Sequence, residues 1–268
     1  MRTGSVFREG VKSTTQLEGI NVCCKGDIGY YLRMVPEWPG DGTGQSVTCV
    51  IGIEKMEGNK GISNVRIGVL GSGHVGAALG GKWAKVGHEV IFGVRCPQEK
   101  RRRDDLGLSR FNARYATVAD AICDADVILF AIPSAAVAGV IDGHGSNLDG
   151  KILIDPTNDF HSDQMSKVHE LVLAAPSAKV YRAFNSLGRE NFEDPVFGGE
   201  SADLFYCGPD AGDCLAIIEA LIREIGLRPI RIGDLDQVPI VDSVLRLWFS
   251  LAKGQGFGRH MAFKTLGI

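Results

Sequence analysis

The sequence predicts an α/β fold with a doubly wound, mostly parallel sheet of about eight strands. Three observations predict it. Beyond Ser63, apolar runs typical of buried strands alternate with helix-like stretches, and a glycine cluster follows the first of these runs. The 268 residues, 44% of them hydrophobic, can also bury one substantial core. We therefore expect a single sheet domain over residues 64–268.

The first 63 residues lack this pattern. They are glycine-rich and carry balanced charges, so we expect a poorly structured leader, although residues 30–35 and 47–53 are compatible with short strands. Two interpretations are open: the basic, Ser/Thr-rich opening resembles an organelle transit peptide, or Met56 is the natural start. We favour the second, because a short polar segment then leads directly into the first strand.

The alternation beyond residue 63 predicts each element in turn. Strands are predicted at residues 65–70, 89–93, 113–117, 126–131, 151–155, 179–183, 202–207 and 229–232. Helices are predicted at residues 75–86, 118–123, 134–141, 163–174 and 211–225. The aromatic-rich stretch 237–266 is expected to be partly helical and to fold back on the sheet or on a second subunit.

The glycine cluster lies where a strand gives way to a helix, and this context makes it informative. Gly71 permits a tight turn, Gly73 lets the backbone approach a diphosphate, and Gly76 lets the helix lie close to the sheet. The helix N-terminus adds free N–H groups and a positive dipole end. The cluster predicts a dinucleotide cradle formed by Gly71, Ser72, Gly73, His74, Val75 and Gly76. The alternative is a glycine-rich turn that binds nothing.

The end of the second strand predicts which dinucleotide is bound. NAD sites normally carry Asp or Glu there, whereas this chain has Gly93 and Val94, followed by Arg95. Without a carboxylate to repel a 2′-phosphate, the guanidinium of Arg95 can bind that phosphate with a fork of donors. We predict NADP(H), with Arg95 as the phosphate clamp, while a solvated loop residue remains the alternative.

Three further strand ends meet at the same edge of the predicted sheet. The turn Ala131, Ile132 and Pro133 offers a flat apolar surface that suits a nicotinamide or ribose. Asn158 and Asn185 follow two other strands; their amides suit the nicotinamide carboxamide or an acceptor, or they are simply turn formers.

The sequence predicts no catalytic residue. It shows no nucleophile elbow, no metal-binding His/Cys cluster, and no Lys-x-x-x-Asn of the kind that protonates a carbonyl in hydroxyacid dehydrogenases. Hydride passage between a nicotinamide and a flavin-like ring needs stacking, orientation and water exclusion more than proton chemistry. The missing acid and base are therefore compatible with such a reaction.

Composition restricts the partners. A net charge of −3 gives no reason to expect nucleic acid or an anionic membrane as a partner, and no apolar stretch approaches the ~20 residues of a membrane span. Seven cysteines without paired metal-type spacing indicate a reducing compartment. We expect a cytoplasmic protein, or an organellar one if the leader targets it, with a small-molecule substrate.

Several segments together carry a family resemblance. The segments IGVLGSGHVGAALGGKWAKVGHEVIFGVR, DVILFAIP, ILIDPTN, VYRAFNSLG and LWFSLAKGQGFGRHMAFKTL resemble the NADP oxidoreductases dependent on the deazaflavin coenzyme F420, a group that includes the nucleotide-binding domain of the STEAP ferric reductases. The resemblance implies a Rossmann domain, NADPH as cofactor, hydride exchange with a deazaflavin or flavin-type partner, and a homodimer. Val94 departs from the family, in which many members carry Ser or Thr before the arginine.

Two other functions remain open. One is reduction of an imine or keto acid, as in pyrroline-carboxylate reductases and hydroxyacid dehydrogenases. Those enzymes need a long all-helical C-terminal domain, whereas this chain returns to strand patterns after residue 202. The other is an NADP(H)-binding sensor without turnover, with which the missing proton donor is compatible.

Overall fold

The computed structural model describes residues 30–33, 52–55, 64–103, 107 and 110–266. The chain divides into two compact units, Met1–Gly61 and Ile62–Ile268. In the first unit, strands β1 (Tyr30–Arg33) and β2 (Gly52–Lys55) pair antiparallel, with Tyr30 opposite Lys55. The rest of the predicted leader lies outside the described residues, so its character stays a prediction.

The second unit is built on an eight-stranded sheet, which confirms the predicted fold class. Its strands are β3 (Arg66–Leu70), β4 (Glu89–Gly93), β5 (Ala113–Ala116), β6 (Val127–Leu129), β7 (Ile152–Asp155), β8 (Lys179–Arg182), β11 (Asp203–Cys207) and β12 (Arg228–Gly233). They lie in the order β5-β4-β3-β6-β7-β8-β11-β12. The chain leaves β3 toward β4 and returns to β6 on the other side, so the order reverses between β3 and β6, the position where such sheets bind ligands.

The helices cover both faces of this sheet. They are α1 (His74–Lys85), α2 (Pro97–Arg103), α3 (Val118–Asp124), α4 (Val137–Leu148), α5 (Val168–Ala174), α6 (Arg189–Glu193), α7 (Asp213–Ile225) and α8 (Val238–Phe249). Strand residues alternate between two cores: Val69 packs in the core with α1, α6, α7 and Trp248 of α8, whereas Leu70 packs in the core with α3, α4 and α5. Burial on both faces explains why these strands read as continuous apolar runs.

Contacts from α1 fix its position on the sheet. A Cβ at Gly80 would lie 2.7 Å from the Phe92 ring, so only glycine allows this approach to β4. On its other side, Trp83 donates to the carbonyl of Leu221 at 3.0 Å, and Lys82 donates to that of Ile225 at 2.9 Å, which ties α1 to α7. The first turn of α1 therefore has a fixed place at the edge of the sheet.

One expectation about these elements needs correction. The helix predicted from residue 163 begins at Val168, because the amide of Lys167 donates to Asp155 and that of Asp159 to the Met165 carbonyl, which holds the preceding residues as a loop. The last two strands make the sheet mostly rather than wholly parallel, as predicted. β11 is antiparallel to β8 and parallel to β12. Between β8 and β11 the chain has only the short α6 and the hairpin β9 (Val196–Phe197) and β10 (Glu200–Ser201).

No helix among the residues that the structure describes is long and apolar enough to cross a bilayer.

Candidate functional site

The glycine cluster forms a tight turn between β3 and α1, as predicted. Gly71 has a φ of +99°, and a Cβ there would lie 2.5 Å from the Ala131 carbonyl oxygen. A Cβ at Gly76 would lie 2.3 Å from the carbonyl oxygen of Gly71. Both glycines are therefore required by the close approach of three backbone segments, which brings the end of β6 against the start of α1.

Gly73 differs from its two neighbours in what it faces. A Cβ at Gly73 would meet no protein atom within 4 Å, so packing inside the protein does not require glycine there. The first intrahelical bond of α1 runs from the Ala77 amide to the Gly73 carbonyl at 2.8 Å, which leaves the amides of His74, Val75 and Gly76 ahead of it. The first turn of α1 contains no acidic residue. Open backbone and a positive helix end fit the diphosphate of a dinucleotide.

The end of β4 has the features expected of an NADP(H) site. Gly93 is buried, and a Cβ there would lie 2.9 Å from that of Ala121 and 3.0 Å from Leu70 Cδ2. Arg95 is exposed, and its guanidinium has no hydrogen bond or ion pair with any described residue. The strand end thus combines a position that packing keeps free of a carboxylate with a cation that is available to a ligand.

The end of β6 contributes the second wall of the crevice. Ala131 and Ile132 are half-buried, and both contact the space that a side chain at Gly71 would take. Pro133 is exposed, with a φ of −55°, and directly precedes a 3₁₀ turn at Ser134–Ala136. The three residues lie beside the glycine turn, where the sequence placed them.

A buried arginine organises the ends of β7 and β8. Arg182 is fully buried, and it pairs with Asp242 of α8 at 2.7 Å and with Asp155 at 3.4 Å. It also donates to the carbonyls of Asp155 and Thr157 and, at 2.8 Å, to Oδ1 of Asn158. Burying a charge is costly unless it is paired and hydrogen-bonded, and here every branch of the guanidinium has partners. The network fixes the loop after β7 against the end of β8.

The two predicted asparagines differ in how many hydrogen bonds their side chains make inside the protein. Asn158 uses both ends of its amide inside the protein, because its Nδ2 donates to the Asn185 carbonyl at 3.0 Å. Asn185 is 2% exposed; its Nδ2 is 3.4 Å from Asp242, and its Oδ1 accepts no hydrogen bond. Asn158 therefore braces the loop, whereas Asn185 keeps a free acceptor.

The turn that carries Asn185 includes a strained backbone conformation. Its neighbour Phe184 has a φ of +61°, a conformation that costs a non-glycine residue of order 1–3 kcal/mol. The Phe184 ring is held by edge contacts with Trp83 and Phe192, at centroid distances of 5.7 and 5.9 Å. Packing in the core therefore maintains the turn that follows β8.

A cavity of about 460 Å³ lies where these elements meet. Its lining includes His74 and Val75 of α1 and both asparagines. An aromatic wall, defined here as Phe160, Trp248 and Phe249, forms part of its lining. A second cavity of about 710 Å³ between α5 and α8 is lined by none of the predicted cofactor residues. The first cavity is therefore the candidate site.

The two arginines at the cavity differ in how closely a carboxylate pairs with them. Glu190 accepts from Arg259 at 2.9 Å, and this hydrogen bond lowers the pKa of its carboxyl against the opposing effect of burial. Arg259 also lies 5.6 Å from the centroid of the Trp248 ring. Arg189 contacts Nδ1 of His74 at 3.1 Å, while its nearest carboxylates, Glu190 and Glu193, are 3.8 and 3.9 Å away. The arginines thus exceed the carboxylate charge within hydrogen-bonding reach.

Sequence reasoning missed Arg182, Arg189 and Arg259. One feature of the sequence could have indicated the role of Arg182. It is a charged residue in the apolar strand VYR, and a charge in such a position predicts a buried partner. Its partner Asp242 lies 60 residues away, which no local pattern reveals. The two other arginines reach the cavity only through the fold.

Comparison with known proteins finds similarity to NADP oxidoreductases. Residues 66–159 match the family described as NADP oxidoreductase coenzyme F420-dependent. The F420-dependent NADP reductase of Methanothermobacter marburgensis is 25% identical over 213 residues, covering 70% of this chain and 92% of the reductase. The rat metalloreductase STEAP3 is 24% identical over 187 residues, 68% of this chain and 37% of that protein. A solved structure described as an F420-dependent NADP reductase, from Arthrobacter sp. FB24, superposes with a TM-score of 0.64 at 26% identity and covers 76% of this chain and 100% of that one.

Other curated relatives match only part of their length. The chain spans 35% to 37% of several bacterial glycerol-3-phosphate dehydrogenases, among them that of Pseudomonas syringae, at 28% identity over 130 residues.

The reversal point of the sheet and the glycine turn define the class of fold: the chain contains a Rossmann domain, and the matches are to NAD(P)-dependent oxidoreductases. Within that class it is similar to the F420-dependent NADP oxidoreductase family, whose description matches residues 66–159, and to STEAP3. The resemblance predicted from the sequence is confirmed.

Proposed function

We propose that this chain exchanges hydride between NADP(H) and a planar ring acceptor of the flavin or deazaflavin type, which binds in the cavity beside α1. The observation that carries the proposal is the aromatic wall at this position. Phe160 and Trp248 both make edge contacts with Phe249, with centroids 4.9 and 5.3 Å apart. Aromatic surfaces of this kind favour a flat ring.

The described residues offer each part of NADP(H) a chemically matched partner. The amides that open α1 would bind the diphosphate, and Arg95 would bind the 2′-phosphate of the adenosine ribose. The turn of Ala131, Ile132 and Pro133 would hold the nicotinamide side, and Oδ1 of Asn185 would accept a hydrogen bond from the carboxamide. Bound in this way, NADP(H) supplies or accepts the hydride at its nicotinamide ring.

The cavity provides orientation rather than proton transfer. Nδ1 of His74 contacts Arg189, and Oε1 of Glu190 accepts from Arg259, so both groups have a partner that fixes their orientation. Reduction of an imine or a keto acid needs a proton delivered at the reacting carbon–heteroatom bond. Hydride transfer to a ring needs mainly proximity and alignment, which the aromatic wall supplies.

An acceptor panel tests this proposal. NADPH oxidation is followed on addition of FMN, a 5-deazaflavin, a ferric chelate, pyrroline-carboxylate and keto acids. We expect oxidation with the ring acceptors. Oxidation with only the imine or the keto acids would contradict the proposal and favour the reductase alternative, and tight NADPH binding without turnover would favour a sensor.

The nucleotide preference is tested separately with Arg95→Ala. Loss of charge-assisted hydrogen bonds to a phosphate costs about 1.5–3 kcal/mol, so NADPH binding should weaken by about tenfold or more. NADH, which lacks the 2′-phosphate, should bind as before. Arg223→Ala on α7, whose guanidinium pairs with Glu219 at 2.7 Å, is the matched control. Equal losses for both nucleotides would reject the assignment of Arg95.

A further inference from the structure

Among the described residues, Arg189 has no carboxylate within hydrogen-bonding distance of its guanidinium. Its side chain is 41% exposed, and the ion pairs to Glu190 and Glu193 are long, at 3.8 and 3.9 Å. Glu190 holds its shorter contact with Arg259, at 2.9 Å. The closest polar contact of Arg189 is Nδ1 of His74 at 3.1 Å, so its guanidinium makes no hydrogen bond to a described carboxylate.

The position of Arg189 at the cavity makes its weak pairing with carboxylates informative. It is the first residue of α6, and it lines the same cavity as the aromatic wall and Asn185. Arg259 also lines the cavity, but it is held between Glu190 and the face of Trp248. Arg95, in contrast, follows β4 and is absent from the cavity lining. Arg95 and Arg189 therefore serve different parts of the crevice.

A second observation points to a ligand in this cavity. Oδ1 of Asn185 is buried and accepts no hydrogen bond, on a side chain that is only 2% exposed. An unsatisfied buried acceptor costs free energy in the unliganded protein and is explained by a partner that arrives with the ligand. The cavity thus combines a polar acceptor, an aromatic wall and a cation whose contacts with carboxylates are long.

We propose that Arg189 anchors an anionic group, a phosphate or carboxylate, of the ring acceptor, and so makes the site selective for anionic over neutral acceptors. The inference rests on the proposed function. The same chemistry has a second source, the diphosphate of NADP(H), because Arg189 contacts the first residue of α1. We assign it to the acceptor, since the open amides of α1 already serve the diphosphate.

Paired probes test this assignment by binding, without need of turnover. FMN and riboflavin share one ring and differ by a phosphate, as do 5-deazaFMN and 5-deazariboflavin. Calorimetry on NADP⁺-saturated protein should show each phosphorylated probe binding about tenfold tighter than its neutral partner. Arg189→Gln should remove most of that preference while changing the affinity for the neutral probes by less than about twofold. Arg223→Gln, remote on α7, should retain the preference.

Three other outcomes overturn the inference. Equal binding of charged and neutral probes by the unmodified protein contradicts it, and so does binding of neither. A tenfold loss of NADPH affinity in Arg189→Gln, with the probe preference retained, assigns the residue to the diphosphate instead. Phosphate preference carried by Arg189 without any NADPH oxidation leaves the inference standing and contradicts only the proposed hydride transfer.

Discussion

Replacing Gly76 with alanine is expected to destabilise the domain, because the new Cβ would lie 2.3 Å from the backbone oxygen of Gly71. That oxygen cannot withdraw easily, since the amide of Gly71 is bonded to the Gly93 carbonyl at 2.9 Å. Two further contacts at 3.1 Å, with Ala131 and Val69, oppose a sideways movement. α1 itself must therefore shift away from the sheet, and overpacking of this kind costs about 1–3 kcal/mol.

Gly81 provides a control in the same helix. A Cβ at Gly81 would meet nothing within 4 Å, so Gly81→Ala should stabilise the chain by about 0.5–1 kcal/mol through helix propensity alone. Both variants exchange a helical glycine for alanine, so the difference between them reports the clash at Gly76. With a clash near the upper end of that range, we expect a difference of about 3 kcal/mol in the free energy of unfolding.

Urea and thermal unfolding followed by circular dichroism measure this difference. For a domain of this size, about 3 kcal/mol corresponds to a gap in Tm of roughly 6–12 °C. Gly76→Ala should unfold at the lower temperature and Gly81→Ala slightly above the parent. Equal midpoints for the two variants would refute the close approach of α1 to the end of β3.

Three other predictions concern buried groups. Arg182→Met leaves two buried carboxylates without their cation and should lower the free energy of unfolding by about 3–5 kcal/mol in urea titrations; an unchanged midpoint would contradict the network. Burial alone would raise the pKa of Asp203, but the hydrogen bonds from Arg228 and from the amide of Thr265 outweigh it and lower that pKa. The ionised carboxylate therefore stabilises the fold above pH ~4, and this contribution is lost as pH falls through the lowered pKa. Asp203→Asn should flatten the decline of Tm between pH 5 and 3, and an unaltered slope would contradict this prediction. Burial raises the pKa of the Cys207 thiol to about 12, so iodoacetamide at pH 8 should modify exposed Cys96 and leave Cys207 intact, as read by mass spectrometry.

The sequence predicts the first half of the domain well because local rules decide it. Strands β3, β4, β6 and β7 are buried on both faces, so they appear as apolar runs, and close contacts in the turn require glycine at Gly71 and Gly76. The cofactor residues named from the sequence lie together at one edge of the sheet, although their role in binding stays a prediction.

What the sequence could not predict depends on contacts between distant residues. The partner of Arg182 lies 60 residues further on, and the start of α5 is set by a hydrogen bond from Lys167 to Asp155. The C-terminal residues build one side of the site through bonds such as that from Trp248 Nε1 to the Met261 carbonyl, at 2.6 Å. No periodicity encodes such pairings, because each one joins segments that only the completed fold brings together.

The crowding around Gly93 limits how this chain could acquire a new nucleotide preference. A mutation that installs an acidic side chain there must also displace α3, since Ala121 already occupies the space that the side chain would need. Only glycine is smaller than alanine, so room cannot be made at position 121 without weakening that helix. Evolution or engineering toward NAD would have to begin instead at Val94, the half-buried neighbour one step along the chain.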